Sequence, residues 1–318
     1  MPGGRRPALC PPLGGTVSPS AVVLLVLSAA THAGWNLLGK RQHPTTAFFL
    51  VANTLGCFYM APVLIPYGQA LAAFPPRAWP LLALTGFCDA LYYTALAAAY
   101  RAGELSIAYP LARSLPAVIV ALLTRALGQG SPLGALALGG IALIVVGSLL
   151  LPAKRLAELS LRNYWQPSNR LVLLAALGTV GYSLADDAVL RAWRQAPGMP
   201  LGSVEVSILY APLRGLSSSL WLALLALAPR PGRAELQDIR RGGLPHAALT
   251  GLGIYLAYTL VLIAMSQVTN VSYVVAFRQL SIPLGAILGL FVLREPKYPL
   301  KVLGVTAMFL GLVLVALG

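Results

Sequence analysis

Apolar runs of about 20 residues, the length a helix needs to cross roughly 30 Å of hydrocarbon, recur along this chain with short loops between them. They fall at 20–39, 46–66, 78–99, 104–126, 131–151, 170–190, 203–228, 244–265, 270–292 and 299–317. Barrel strands would alternate in short segments, whereas these runs are continuously apolar and rich in Leu, Ala and Gly. In lipid, where no water satisfies the backbone, helices are then the spanning structure that remains. With 58% hydrophobic and 10% charged residues in 318, and a mean hydropathy of +0.76, there is too little polar surface to coat a soluble globule. The expectation is an all-α integral membrane protein with ten transmembrane helices.

The net charge of +14 raises a nucleic-acid partner, but the basic residues sit mostly at span ends and in loops, where lipid headgroups meet them. Lys40, Arg41, Lys154, Arg155, Arg162, Arg170, Arg230, Arg233, Arg240, Arg241, Arg294 and Lys297 fall on one side. Arg5, Arg6, Arg77, Arg125, Arg191 and Arg194 fall on the other. The positive-inside rule then places both termini outside a plasma (cytoplasmic or inner) membrane, crossed many times, with lipid and no nucleic acid as partner. Cys10, Cys57 and Cys88 have no metal or redox spacing. The first 33 residues have a signal-like outline, but the Pro/Gly-rich stretch from Pro2 to Ser18 makes poor signal sequence. The first run is therefore expected to belong to the fold.

An arginine recurs inside two of the runs, in Tyr109-Pro110-Leu111-Ala112-Arg113-Ser114-Leu115-Pro116 and in Val274-Val275-Ala276-Phe277-Arg278-Gln279-Leu280-Ser281. Carried on without gaps, the alignment pairs Gly139 with Gly304, and Gly34-Trp35-Asn36-Leu37 has a counterpart in Gly181-Tyr182-Ser183-Leu184. A guanidinium inside a bilayer costs about 2.5–3.5 kcal/mol on insertion scales, so a chain carrying two is expected to enclose a polar interior. A unit with an odd number of spans followed by its own copy must sit the other way up. The chain is thus expected to form two inverted five-helix repeats, 1–151 and 170–318, joined by an amphipathic linker at 152–169.

These segments resemble the drug/metabolite transporter superfamily, and within it the EamA-like ten-helix transporters. The resemblance covers nearly the whole chain. It rests on His32-Ala33-Gly34-Trp35-Asn36 with Lys40, on Tyr109-Pro110-Leu111-Ala112-Arg113, on Val271-Ser272-Tyr273 to Arg278, and on the two closing segments. The family often has a glutamate in the tight loop after spans four and nine. Glu295 matches it in the second half, whereas the first half has Gly128-Gln129-Gly130-Ser131. The resemblance implies a carrier and leaves the substrate open.

Several polar residues are candidates to line a path. Tyr109 and Arg113 lie one turn apart, and Pro110 and Pro116 are expected to bend or break their helix by removing backbone donors. Asp89, Tyr92 and Tyr93 share a face, with Asp89 either pairing Arg113 or carrying a proton. Tyr182 and Asp186 share another face, near a span end where headgroup water is the alternative setting for Asp186 and Asp187. Glu205 and Arg214 are nine residues apart and point to opposite sides. Ser207, Tyr210, Arg214, Ser217 and Ser218 form a stripe that either lines a cavity or joins helices. His32, Trp35 and Asn36 share a face of the first run, and Tyr255, Tyr258 and Thr259 add an aromatic wall or an interfacial belt. The Gly-rich runs five and ten read as helix packing, within the chain or between protomers of a homodimer.

The candidate substrate-binding set is therefore Arg113, Arg278, Tyr109, Asp89, Tyr93, Trp35, Asn36, His32, Tyr182, Asp186, Arg214, Tyr210 and Tyr258. The two repeated arginines either hold a substrate carboxylate or neutralise buried acids. No metal cluster, phosphate loop or catalytic arrangement is legible, so no cofactor and no enzyme activity are expected. The expected function is secondary transport, as an exporter, of small polar metabolites by alternating access, with proton coupling open. The alternative is a flippase or membrane enzyme acting on an anionic lipid headgroup.

Overall fold

A computed structural model describes residues 17–40, 45–101, 105–151, 153, 155, 168–228, 230–292 and 297–318. Lys154, Glu158 and Arg162 of the linker, and Glu295, lie outside the described residues. The chain runs as α1 (Pro19–Lys40), α2 (Thr46–Met60), a 3-10 stretch (Ala61–Tyr67), α3 (Gly68–Ala72), α4 (Ala78–Arg101), α5 (Leu105–Ala126) and α6 (Ala135–Leu150). It continues as α7 (Ser168–Arg194), α8 (Ser203–Leu227), α9 (Arg230–Asp238), a π-helical turn (Ile239–Gly243), α10 (Leu244–Ala264) and α11 (Val271–Phe277). A 3-10 turn (Arg278–Leu280), α12 (Ser281–Val292) and α13 (Pro299–Leu317) complete it. Among the described residues there is no strand, only an isolated bridge between Val17 and Val268.

Among the described residues, seven helical stretches are long and apolar enough to cross a membrane, from Thr46–Ala72 to Pro299–Leu317. Large apolar side chains stand exposed along their outer faces. Leu216, Leu220 and Leu224 recur one turn apart on α8, and Leu249, Leu252 and Leu256 do the same on α10. Water would penalise such stripes, whereas hydrocarbon would cover them.

Helix ends follow local chemistry. Thr45 caps α2 by accepting from the Phe48 amide, and Asn270 caps α11 by accepting from the Ser272 amide. The turn between α5 and α6 needs left-handed backbone at Gly128 (φ 62°) and Gly130 (φ 76°). That turn docks on the entry to α11, where the Asn270 amide donates to the carbonyls of Ser131 (2.9 Å) and Gln129 (3.4 Å). The loop at 128–131 thus holds a helix cap.

In α5, each proline removes a single donor, and the helix runs unbroken from Leu105 to Ala126 despite Pro110 and Pro116, against expectation. The interruption falls instead at Arg278. Pro283 cannot bond the carbonyl of Gln279, and the turn before it tightens into 3-10 geometry.

Packing brings the two parts of the chain together. α4 lies against α7 and α8, α1 and α2 against α10, α2 against α8, and α6 against α13. The α6–α13 contact is made by glycines: a Cβ on Gly147 would sit 2.7 Å from the Gly304 carbonyl, and one on Gly140 would sit 2.5 Å from that of Gly311. These faces are therefore used within the chain. Gly139, which the ungapped alignment pairs with Gly304, faces open space. At the α4–α7 contact, Gly178 and Gly181 admit Cys88. That close approach sets Asp89 beside Tyr182 and Asp186.

Candidate functional site

The polar side chains of α4, α7, α8 and α10 converge, at the middle of α4 and α8 and nearer the C-terminal ends of α7 and α10. Asp89 lies 11 residues from the start of α4 and 12 from its end, and Arg214 lies 11 from the start of α8 and 13 from its end. Both are buried, as is Asp186. The Arg214 guanidinium spans the two acids, with Nη2 2.7 Å from Asp89 Oδ1 and Nε 3.1 Å from Asp186 Oδ2.

Neutral donors add to these ion pairs. The Ser218 hydroxyl donates to Asp89 Oδ2 at 2.7 Å. Asp186 receives the hydroxyls of Tyr210 (2.7 Å), Tyr258 (2.6 Å) and Thr85. A buried ion triad survives when its atoms are satisfied in this way, because each unmet charge would carry its full desolvation cost. Of the two settings open to Asp186, it takes the interior one: it is fully buried, one residue before an Asp187 that pairs with Arg191 at 2.8 Å. Asp89 takes Arg214, on α8, as its ion partner.

Arg278 sits next to this triad on different terms. Its Nη2 donates to the Tyr182 hydroxyl at 2.7 Å, with the Ser183 hydroxyl 3.5 Å from Nη1. Both guanidiniums cover aromatic faces. Arg214 stands 4.1 Å and Arg278 5.1 Å from the Tyr258 ring centre, and they stand 5.1 Å and 5.4 Å from that of Tyr182. Among the described residues Arg278 makes no ion pair with a carboxylate.

A cavity of about 30 Å³ opens between these groups, with Asp89, Arg214, Tyr182, Tyr258, Arg278 and Trp35 in its wall. That is space for about two water molecules. His32 and Tyr93 also reach it; His32 meets Trp35 edge-to-face at 4.7 Å, and Tyr93 stacks on Phe49 at 4.8 Å. The cavity is walled by α1 and α4 from one part of the chain and by α7, α8, α10 and the Arg278 turn from the other.

Of the sequence candidates, His32, Trp35, Asp89, Tyr93, Tyr182, Arg214, Tyr258 and Arg278 share this wall. Asp186 and Tyr210 stand behind it, joined through Arg214 and the Asp186 carboxylate. Asn36 is half-buried on α1 and takes no part in the wall. The backbone of Tyr109 and Arg113 is helical, but their side chains lie outside the described residues.

The polar stripe of α8 turns out to join helices. Ser207 accepts from Arg194, Ser217 donates to the Leu82 carbonyl, and Tyr210, Arg214 and Ser218 hold the acids. Thr85 and Ser28 were not singled out from the sequence. Thr85 was detectable, since it sits one turn before Asp89 on the same face. Ser28 lines the cavity and donates to the Ala257 carbonyl at 2.7 Å, a contact between distant helices with no local signal. Among the described residues no group of His, Cys, Asp or Glu is placed to hold a metal ion.

No protein-family model and no curated protein matches the chain. Solved structures do: one, described only as "Crystal structure of protein", aligns with a TM-score of 0.66 at 18% identity, covering 94% of this chain and 96% of that one. At that identity the likeness is one of fold, over almost the full length of both chains.

Proposed function

We propose that this chain is a secondary transporter of small polar metabolites, an exporter, built from ten spans in two inverted five-helix repeats and related to the EamA-like members of the drug/metabolite transporter superfamily. One observation carries the reading: a polar, aromatic-walled cavity midway along apolar helices, with walls drawn from both halves of the chain. Carriers of inverted-repeat design bind substrate at this depth and between these partners.

The packing supports the inverted repeat. Numbering the spans along the chain, the contacts of span three (α4) with six (α7) and of one (α1) with eight (α10) exchange when the halves are swapped. So do those of two (α2) with eight and of seven (α8) with three. The contacts of two with seven and of five (α6) with ten (α13) map onto themselves. Such a pattern is what a two-fold axis in the membrane plane produces. In this reading the halves rock about the cavity and open it to either side in turn.

The test is flux. Proteoliposomes containing the full chain, loaded with a mixed pool of labelled amino acids, sugars and nucleosides, are expected to show saturable counterflow of at least one class. Protein-free vesicles serve as the baseline. A folded protein that moves none of the pool, yet exposes a fluorescent anionic lipid to a membrane-impermeant quencher, would sink the carrier reading in favour of a flippase.

A further inference from the structure

We infer that the cavity takes the carboxylate of a small monoanion, with Arg278 as its charge partner and Trp35 and Tyr182 as additional donors, while Arg214 is a positioning residue that does not bind substrate. This deepens the transport reading and rests on it.

The argument counts donors and acceptors around one void. The charge of Arg214 is already met by two buried carboxylates, and among the described residues it is the only ion partner of Asp89 and Asp186. Each Asp89 oxygen has a donor, one from Arg214 and the other from Ser218. The Tyr258 hydroxyl is committed to Asp186, and that of Ser28 to the Ala257 carbonyl. Asp186, with four donors on its two oxygens, has no capacity left to accept from a ligand, and the charge of Asp89 is met by Arg214.

Donors remain in excess. Arg278 has five N–H groups, and its described partners are the neutral hydroxyls of Tyr182 and Ser183. The Tyr182 oxygen accepts from Arg278, which leaves its own proton to give. Trp35 is 5% exposed, and its indole N–H has no partner. An indole N–H can only donate, and one left unpaired in a buried site costs free energy unless a ligand or water meets it. Three donors without matching acceptors around a space of about two waters describe a receptor for two oxygens bearing one negative charge. Both acids pair with Arg214, and among the described residues neither pairs with Arg278. The aromatic faces of Tyr182 and Tyr258 keep the guanidinium in place while the site is empty.

The experiment uses acetate and acetamide, which share size and shape and differ in charge, at matched ionic strength with the full chain in detergent. Thermal unfolding is followed as each probe is titrated. Acetate is expected to raise the midpoint saturably and acetamide is not. Arg278→Gln is expected to weaken the acetate effect by roughly 10- to 100-fold, as loss of a charge-assisted pair does, and Arg278→Lys to restore part of it. Trp35→Phe keeps the ring and removes the N–H, and should weaken acetate by about 5-fold or more; this variant decides the matter if Arg278→Gln does not fold. Equal stabilisation by both probes, an unchanged response in Trp35→Phe and Arg278→Gln, or stabilisation by inorganic phosphate alone would overturn the inference. Counterflow separates the two readings. Saturable flux of neutral solutes with no acetate response removes the anion inference and leaves the carrier, and an Arg278-dependent acetate response without flux does the reverse.

Discussion

The two parts of the chain meet at one edge through glycine and in the middle through charge. At the edge, α6 and α13 approach until a Cβ at Gly147 or Gly304 would lie 2.7 Å or 2.6 Å from the facing carbonyl. In the middle, Asp89 of α4 meets Asp186 of α7 and Arg214 of α8 through hydrogen-bonded ions, beside the cavity. Close backbone packing in lipid gains from van der Waals contact and has no alternative partner, so it persists. A bridge of ions beside a cavity can exchange its partners for water. Under the proposed carrier function, the edge would be the pivot and the centre the part that rearranges.

The largest effect should come from breaking the centre. Arg214→Met leaves two buried carboxylates without their cation, and the expected loss is about 3–5 kcal/mol, the range for removing one member of a buried ion pair. Thermal unfolding in detergent would measure it. Adding Asp89→Asn and Asp186→Asn to the same chain should recover most of the loss, because the unpaired charges are then gone. If Arg214→Met alone is as stable as the parent, the triad is not an ion bridge.

A smaller loss is expected at the edge. Gly147→Leu forces a side chain against the Gly304 carbonyl, which is backbone and cannot swing aside. Overpacking of this kind costs about 1–3 kcal/mol. The distinction from the centre is functional: Gly147→Leu should lower the unfolding midpoint while the folded fraction keeps its response to ligand. A folded variant that loses flux but not stability would reverse the roles given to edge and centre.

The long helices were legible because lipid demands a continuous apolar run, and every run in the sequence contains a described helix. The convergence of Tyr182, Asp186 and Tyr258 was partly legible from shared faces. The ion partner of Asp89 was not. Pairing depends on how α8 is rotated against α4, and the stripe of Ser207, Tyr210, Arg214 and Ser218 suits a cavity wall and a helix contact equally well. Proline content pointed to a break in α5, yet the backbone departs from α-helix at Arg278, where Pro283 acts on the turn before it. Local composition marks where a donor is missing, and the surrounding packing decides whether the helix bends.

The smallest predicted difference is the most specific to the cavity. Tyr210 and Tyr258 both donate to Asp186, at 2.7 Å and 2.6 Å, so by distance alone Tyr210→Phe and Tyr258→Phe should cost the same. Their settings differ. Tyr210 is fully buried away from the void, whereas Tyr258 forms part of its wall. A water entering the cavity can replace the lost donor of Tyr258→Phe at little cost, but none reaches the site of Tyr210. Tyr210→Phe is therefore expected to destabilise by about 1.5–2 kcal/mol, the lower part of the range for a hydrogen bond to a charged group, and Tyr258→Phe by under about 1 kcal/mol. Equal losses in parallel unfolding measurements would mean that the cavity stays dry. The polar groups that face it would then have to be met by protein atoms alone.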